Sequence, residues 1–363
     1  MRILMKVITI VGTRPELIRL SEIIKKLDRY MDHILVHTGQ NFDYELNEIF
    51  FEELSIRKPD YFMNSKAETP FKQISHILEK TEEILLKEKP DAVLILGDTN
   101  SGLSAIVAKR LGIPVFHMEA GNRCYSDKVP EEINRRIIDS CSDILLPYTQ
   151  RSREQLLMEG YHPSRIFVTG NPIAEIIRKN IEKVNHSKIH ENLGIEKDEK
   201  YVLVTVHREE NVDDPKLLAG ICDTLLCIAH KHKVIVSTHP RTRKRLERIE
   251  IDSNDNLVFM KPFGFIDFLK LEMNAFCIIT DSGTVQEEAT ILSVPCILMR
   301  TSTERPELLE CGGVFMAGVN KDDILDSFNV IANSTERNEC IPYDYQDDVS
   351  NKIVKILMRY KNV

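Results

Sequence analysis

Residues 5–11 form an unbroken apolar run rich in β-branched side chains. After a break at Gly12-Thr13-Arg14-Pro15, residues Leu17, Ile18, Leu20, Ile23, Ile24 and Leu27 recur at helical spacing. This predicts strand, tight turn, helix. The alternation continues with strands over 33–36, 92–96, 115–118, 143–146 and 166–168, and helices over 44–54, 71–86, 103–111 and 131–141. Runs such as Ala92-Val93-Leu94-Ile95-Leu96 have no polar alternation, so both faces of each strand are expected to be covered by helices. The pattern pauses at Gly170-Asn171-Pro172, and residues 183–200 offer little that belongs in a core. It then restarts, with strands over 201–206, 234–237, 257–260, 276–280 and 295–298 and helices over 215–229, 241–250, 266–273 and 284–291. The expectation is an α/β protein of two Rossmann-like parallel-sheet domains, residues 1–170 and 171–345, around a central cleft. A last helix over 349–360 has no place that the sequence assigns.

Composition narrows the classes. The chain has 363 residues, 48 Lys+Arg against 56 Asp+Glu, and 42% hydrophobic positions. A net charge of −8 argues against nucleic acid as a partner. Its apolar runs fall well short of the roughly 18 residues that span a bilayer, and the first residues lack the pattern of a secretory leader. A cytoplasmic protein with no membrane insertion is expected. Eight scattered cysteines without paired spacing read as reduced thiols, supporting neither a disulfide frame nor a metal site.

In open parallel sheets, ligands bind beyond the carboxyl ends of the strands, and polar clusters sit there in this chain. The first half offers Gly12-Thr13-Arg14-Pro15-Glu16, Gly97-Asp98-Thr99-Asn100 and Glu119-Ala120-Gly121-Asn122-Arg123. The second offers His207-Arg208-Glu209-Glu210, His239-Pro240-Arg241 and Asp281-Ser282-Gly283-Thr284. Each has a plainer use. Arg14-Pro15 suits a simple helix start, Asp98 and Ser282 suit helix caps, and Arg241–Arg245 suits a solvated helix face. Glu119, directly after a buried strand, is either a tuned carboxylate or the internal partner of Arg123. Glu131 and Arg135 stand one helical turn apart, as do Glu132 and Arg136. His207 and His239 lack companions at metal-ligand spacing and fit phosphate contact better.

Taken in series, these clusters resemble the non-hydrolysing UDP-N-acetylglucosamine 2-epimerase family. The resemblance also rests on His37-Thr38-Gly39-Gln40, Pro130-Glu131-Glu132, Gln286-Glu287-Glu288-Ala289 and Thr303-Glu304-Arg305-Pro306-Glu307, and runs from about Lys6 to Gly318. It implies a GT-B-like fold, an isomerase in nucleotide-sugar and polysaccharide biosynthesis, a UDP-sugar substrate, a homodimer, and no cofactor or metal. The implied chemistry eliminates UDP to a 2-acetamidoglycal and adds it back with the C2 proton on the other face, interconverting UDP-N-acetylglucosamine and UDP-N-acetylmannosamine. By motif, Asp98, Glu119 and Glu131 are the acid/base carboxylates, with their division of labour open. Arg14, Arg135 and His207 bind or stabilise diphosphate and sugar, Ser282 and Gly283 hold phosphate, and Glu288 grips the ribose. Arg135 and His207 are counted with the catalytic residues, and His239 and Thr284 are further substrate-binding candidates.

The chain departs from the family pattern in places. Gly121-Asn122-Arg123-Cys124 replaces Gly-Leu-Arg, Glu209 replaces the second Arg of His-Arg-Arg-Glu, and Thr284 replaces a Gly. Asp43 stands where members activated by a second UDP-sugar have Gln, against such activation here. Together with 41–48 and 57–62, the Gly121–Cys124 run looks like a subgroup that makes UDP-N-acetyl-L-fucosamine by 2-epimerising a UDP-2-acetamido-2,6-dideoxy-L-hexose. Other classes in play are a GT-B glycosyltransferase, which needs an acceptor, and a silent UDP-sugar binder, disfavoured by the three carboxylates.

Overall fold

The computed structural model describes residues 4–40, 44–127, 129–249, 251, 254–334, 340–345 and 348–360. Asp43 and the neighbouring Asn41 and Phe42 lie outside them. The chain divides into two compact units, Met1–Lys179 with Tyr343–Val363, and Asn180–Pro342. The division falls inside the helix Pro172–His186, after the Gly170 turn rather than at it.

Unit 1 contains β1 (Lys6–Val11), β2 (Asp32–His37), β3 (Tyr61–Phe62), β4 (Ala92–Leu96), β5 (Val115–Met118) and β6 (Ile144–Leu146). They form one parallel sheet in the order β3-β2-β1-β4-β5-β6. All five residues of β4 are buried, as a strand with helices on both faces requires. The helix Arg14–Tyr30 turns Leu17, Ile18, Leu20, Ile23, Ile24 and Leu27 inward, the stripe that the spacing predicts. The expected strand over 166–168 is not a strand: it reduces to an isolated bridge between Leu145 and Ile166. The helix Val349–Tyr360 returns to unit 1. It buries Val349, Ile353, Val354 and Leu357, and Glu175, itself buried, accepts from the Ser350 N–H at 2.9 Å at the helix's positive end.

Unit 2 contains β7 (Tyr201–Val206), β8 (Lys233–Thr238), β9 (Leu257–Met260), β10 (Cys277–Thr280), β11 (Cys296–Leu298) and β12 (Val314–Met316). Their order is β12-β11-β10-β7-β8-β9, again parallel throughout. On one face, Leu218, Ile221, Leu225 and Ile228 meet Ile324, Phe328 and Ile331 over Val202, Val204 and Val206. The helix Lys321–Asn333 that supplies the second of these groups, and β12, are absent from the periodicity reading.

Counted within its own unit, each sheet runs 3-2-1-4-5-6, the doubly wound order of a Rossmann-like domain. The order reverses between β1 and β4 in unit 1 and between β7 and β10 in unit 2, so the loops after those four strands border the natural ligand crevices. Among the described residues no helix is long and apolar enough to cross a membrane, and all eight cysteines carry free thiols.

Candidate active site

In unit 1 the loop after β1 is organised by Glu16, buried in the first turn of the helix Arg14–Tyr30. Its carboxyl accepts from the Thr13 N–H at 3.1 Å and the Ser101 hydroxyl at 3.0 Å, and also from the Gly12 N–H and the Thr99 hydroxyl. One carboxylate thereby ties the loop after β1 to the loop after β4. Burial pushes it up to about 7 against the pull of these four donors. Arg14, half-buried, lies over the Phe50 ring at 5.5 Å.

Asp98, after β4, meets Arg135 at 2.5 Å, and its backbone carbonyl accepts from the Asn134 amide at 2.9 Å. Arg135 also reaches Glu132 at 3.1 Å, so it turns away from the turn-spaced Glu131. Glu131 is half-buried at the start of the helix Pro130–Cys141, with no ion pair or hydrogen bond among the described residues. Glu132, fully buried, holds Arg135, Arg136 and the Cys124 N–H.

Glu119, after β5, is 6% exposed and has φ +69°, a left-handed conformation that a non-glycine residue adopts only where its surroundings enforce it. Its partner is not Arg123 but the buried Arg19, at 2.8 Å, with the Asn122 amide at 3.4 Å and the Tyr148 hydroxyl at 3.5 Å. Arg123 instead binds Asp139 and Glu159, each at 2.7 Å. Asp139 meets His117 Nδ1 at 2.7 Å, and His117 Nε2 meets the Gly97 carbonyl at 2.9 Å. A buried chain thus runs from the helix Pro130–Cys141 through β5 to the turn that carries Asp98. Asn122 further accepts from Ser152 at 2.8 Å, and Gly121 has φ +80° with space for no side chain: a Cβ would lie 2.3 Å from the Ser152 carbonyl. The Gly121–Cys124 run therefore contacts Glu119 and joins this loop to the helix Pro130–Cys141.

In unit 2 the loops after β7 and β10 are clamped by Asp281, which is fully buried. It accepts from the His207 N–H at 3.0 Å, the Arg208 N–H at 2.9 Å and the Asn211 amide at 3.1 Å. The His207 ring, 39% exposed, stands 5.9 Å from the His239 ring. His239 caps the helix Pro240–Leu246 through Nδ1 at 3.2 Å from the Arg241 N–H. The following basic run is a solvated ion-paired face, with Arg241 on Glu209 and Asp213 and Arg245 on Asp213.

The Ser282 hydroxyl accepts from the Thr284 N–H at 3.3 Å, opening the helix Val285–Ile291. A Cβ on Gly283 would come within 2.7 Å of the Glu304 carboxyl, so a side chain here would displace that carboxyl. Glu304 is itself held by Arg300 at 2.9 Å, and Arg305 grips Glu287 at 2.5 Å. The Arg305–Glu287 pair binds the Thr303–Glu307 segment to the Gln286–Ala289 turn. Glu288 is buried beside them, 4% exposed.

Arg19, His117 and Asp139 stand in none of the site motifs read from sequence, and Glu132 and Asp281 stand inside such motifs without an assigned role. The available signal for each was a charged side chain at a core-facing position of an apolar pattern. Among the described residues no group of acidic, His or Cys side chains is placed to hold a metal.

A family model described as UDP-N-acetylglucosamine 2-epimerase matches residues 25–358. A relative from Methanocaldococcus jannaschii, named UDP-N-acetylglucosamine 2-epimerase, is 40% identical over 97% of this chain and 99% of its own. Another, from Pseudomonas aeruginosa and named UDP-2,3-diacetamido-2,3-dideoxy-D-glucuronate 2-epimerase, is 36% identical over 89% of this chain and 91% of its own. The crystal structure of the M. jannaschii UDP-GlcNAc 2-epimerase in complex with UDP-GlcNAc and UDP superposes with a TM-score of 0.92 at 39% identity, covering 98% of this chain and all of that one.

Proposed function

Because the chain belongs to the UDP-N-acetylglucosamine 2-epimerase family, and is thereby an isomerase, we propose that it interconverts UDP-N-acetylglucosamine and UDP-N-acetylmannosamine through Asp98, Glu119 and Glu131. The carrying observation is that the three carboxylates occupy three separate segments of one unit in three settings. Asp98 is anchored by Arg135, Glu119 is held by Arg19 on a strained backbone, and Glu131 has no protein partner among the described residues. Carboxylates in unlike surroundings suit a reaction that takes a proton from one face of C2 and returns one to the other.

In this reading a base removes the C2 proton while the C1–O bond breaks and its electrons leave with UDP. The resulting 2-acetamidoglycal then regains UDP at C1 and a proton on the opposite face of C2. Arg14, Arg135, His207 and His239 serve the diphosphate and sugar, with electrostatic stabilisation of the leaving group as their contribution. Ser282, Gly283 and Thr284 serve phosphate, and Glu288 serves the ribose hydroxyls. The active form is a cytoplasmic homodimer, which sedimentation would check.

The test is incubation with UDP-N-acetylglucosamine in deuterated water, following the C2 proton by NMR. Exchange of that proton and growth of the manno epimer, without any acceptor, is the expected result. UDP release only when an acceptor sugar is present would make the protein a glycosyltransferase. A clear preference in kcat/KM for the 6-deoxy-L-hexose substrate would move it to the fucosamine subgroup.

A further inference from the structure

Glu272 lies in the helix Phe265–Asn274, in the run Phe268-Leu269-Lys270-Leu271-Glu272-Met273, and is fully buried. Among the described residues neither of its oxygens meets an N–H, a hydroxyl or a cation. The group within hydrogen-bonding reach is the Glu288 carboxyl, on the helix Val285–Ile291. Two carboxylates have no hydrogen to share, so this contact is a bond only when one of them carries a proton. A charge on Glu272 would be fully buried with no donor on either oxygen, so Glu272 is the member of the pair that holds the proton, and burial pushes its carboxyl up accordingly.

The other titratable groups facing Glu272 do not alter this. The Tyr201 hydroxyl on β7 donates to the Leu271 carbonyl at 2.6 Å and meets His190 at 3.0 Å. Burial lowers the pKa of His190 and raises those of Tyr201 and of the Cys296 thiol on β11, so all three favour their neutral forms.

We propose that Glu272 is a positioning residue whose protonated carboxyl donates to Glu288 and fixes the orientation in which Glu288 accepts the ribose hydroxyls of the nucleotide. This rests on the assignment of Glu288 to the ribose. An O–H donor bound to a carboxylate is among the stronger neutral-to-charged hydrogen bonds, and it removes rotational freedom from a side chain that must present its oxygen to a diol. It also keeps the pair at one negative charge, where two would repel inside a core.

Calorimetric titration with UDP and with 2′-deoxy-UDP reads the ribose grip directly, as the ratio of their affinities. Glu288→Ala is expected to abolish the preference for UDP. Glu272→Gln keeps an N–H donor in the same place and should hold the preference within about twofold. Glu272→Met, of similar volume but without a donor, should lower it about tenfold. Its melting temperature should be no lower than wild type, because a buried acid gives way to an apolar side chain. Glu272→Leu is the second apolar variant should Met not fold.

An apolar variant that retains full discrimination, while Glu288→Ala loses it, overturns the role of Glu272. So does a Glu272→Gln that loses as much as the apolar variants. If Glu288→Ala itself leaves the ratio unchanged, it is the ribose assignment that fails.

Discussion

At Glu119 a carboxylate, a left-handed backbone and a buried arginine coincide. Holding a glutamate there costs about 1–3 kcal/mol, which Arg19, Asn122 and Tyr148 offset by fixing both carboxyl oxygens. Glu119→Gln, Asp98→Asn and Glu131→Gln should each lower turnover by about 10²–10⁴, with the melting temperature near wild type for Glu131→Gln and lowered for the other two, each of which takes a carboxylate from a buried arginine. Near-normal rates in all three would remove the proposed chemistry. Arg19→Met is expected to act differently, leaving Glu119 buried without its cation and costing about 3–5 kcal/mol of stability in urea unfolding. Glu16 gives the pH dependence. With its carboxyl raised from 4.5 to about 7 in the folded state, the folded protein holds this proton over a window where the unfolded chain has lost it. Its contribution is complete below about pH 4.5 and declines as pH rises to about 7, by about 3 kcal/mol in all. Glu16→Gln should flatten the stability profile across that window, and an unchanged slope would show that the folded carboxyl titrates normally.

At the scale of elements, what was legible had local causes. Strands β1, β4, β5 and β7 stand out because burial on both faces demands unbroken apolar runs, and the polar residues that end β1, β4 and β7 mark the crevices of the doubly wound sheets. The helix Pro172–His186 was obscured because its buried Ile173, Ile176, Ile177 and Val184 straddle polar residues after the Gly170-Asn171-Pro172 turn. Residues 166–168 look like a strand by composition, yet pairing needs a neighbour, and only one bridge forms. The supports of the site were hidden for another reason. Arg19 and Glu119 are a hundred positions apart, and Asp139 reaches His117 across an intervening turn and helix, so no window of sequence joins them. The loop after β5 offers a test of how tightly its shape is set. Gly121→Ala places a Cβ against the Ser152 carbonyl at positive φ, and should cost at least about 2 kcal/mol and weaken activity through the displaced Glu119. Full activity with unchanged stability would mean that the loop relaxes freely.

Over the whole molecule the chain makes unit 1 discontinuous, since unit 2 is inserted between Lys179 and Tyr343. Deleting the helix Val349–Tyr360 removes four buried apolar side chains from unit 1 and strips Glu175 of its Ser350 donors. At about 1.5–3 kcal/mol per buried side chain the loss amounts to several kcal/mol. Calorimetry should show a lowered transition for unit 1 and an unmoved one for unit 2; equal shifts in both would contradict independent folding. The same arrangement sets a timetable during synthesis. Every residue of unit 2 leaves the ribosome before Val349–Tyr360 does, so the inserted unit can close first. The helix Arg14–Tyr30, among the earliest made, waits for Val349–Tyr360, which packs against it and whose Asn351 meets Lys26 at 2.5 Å. Nascent chains stalled before that point should therefore protect unit 2 against protease while unit 1 is still cut.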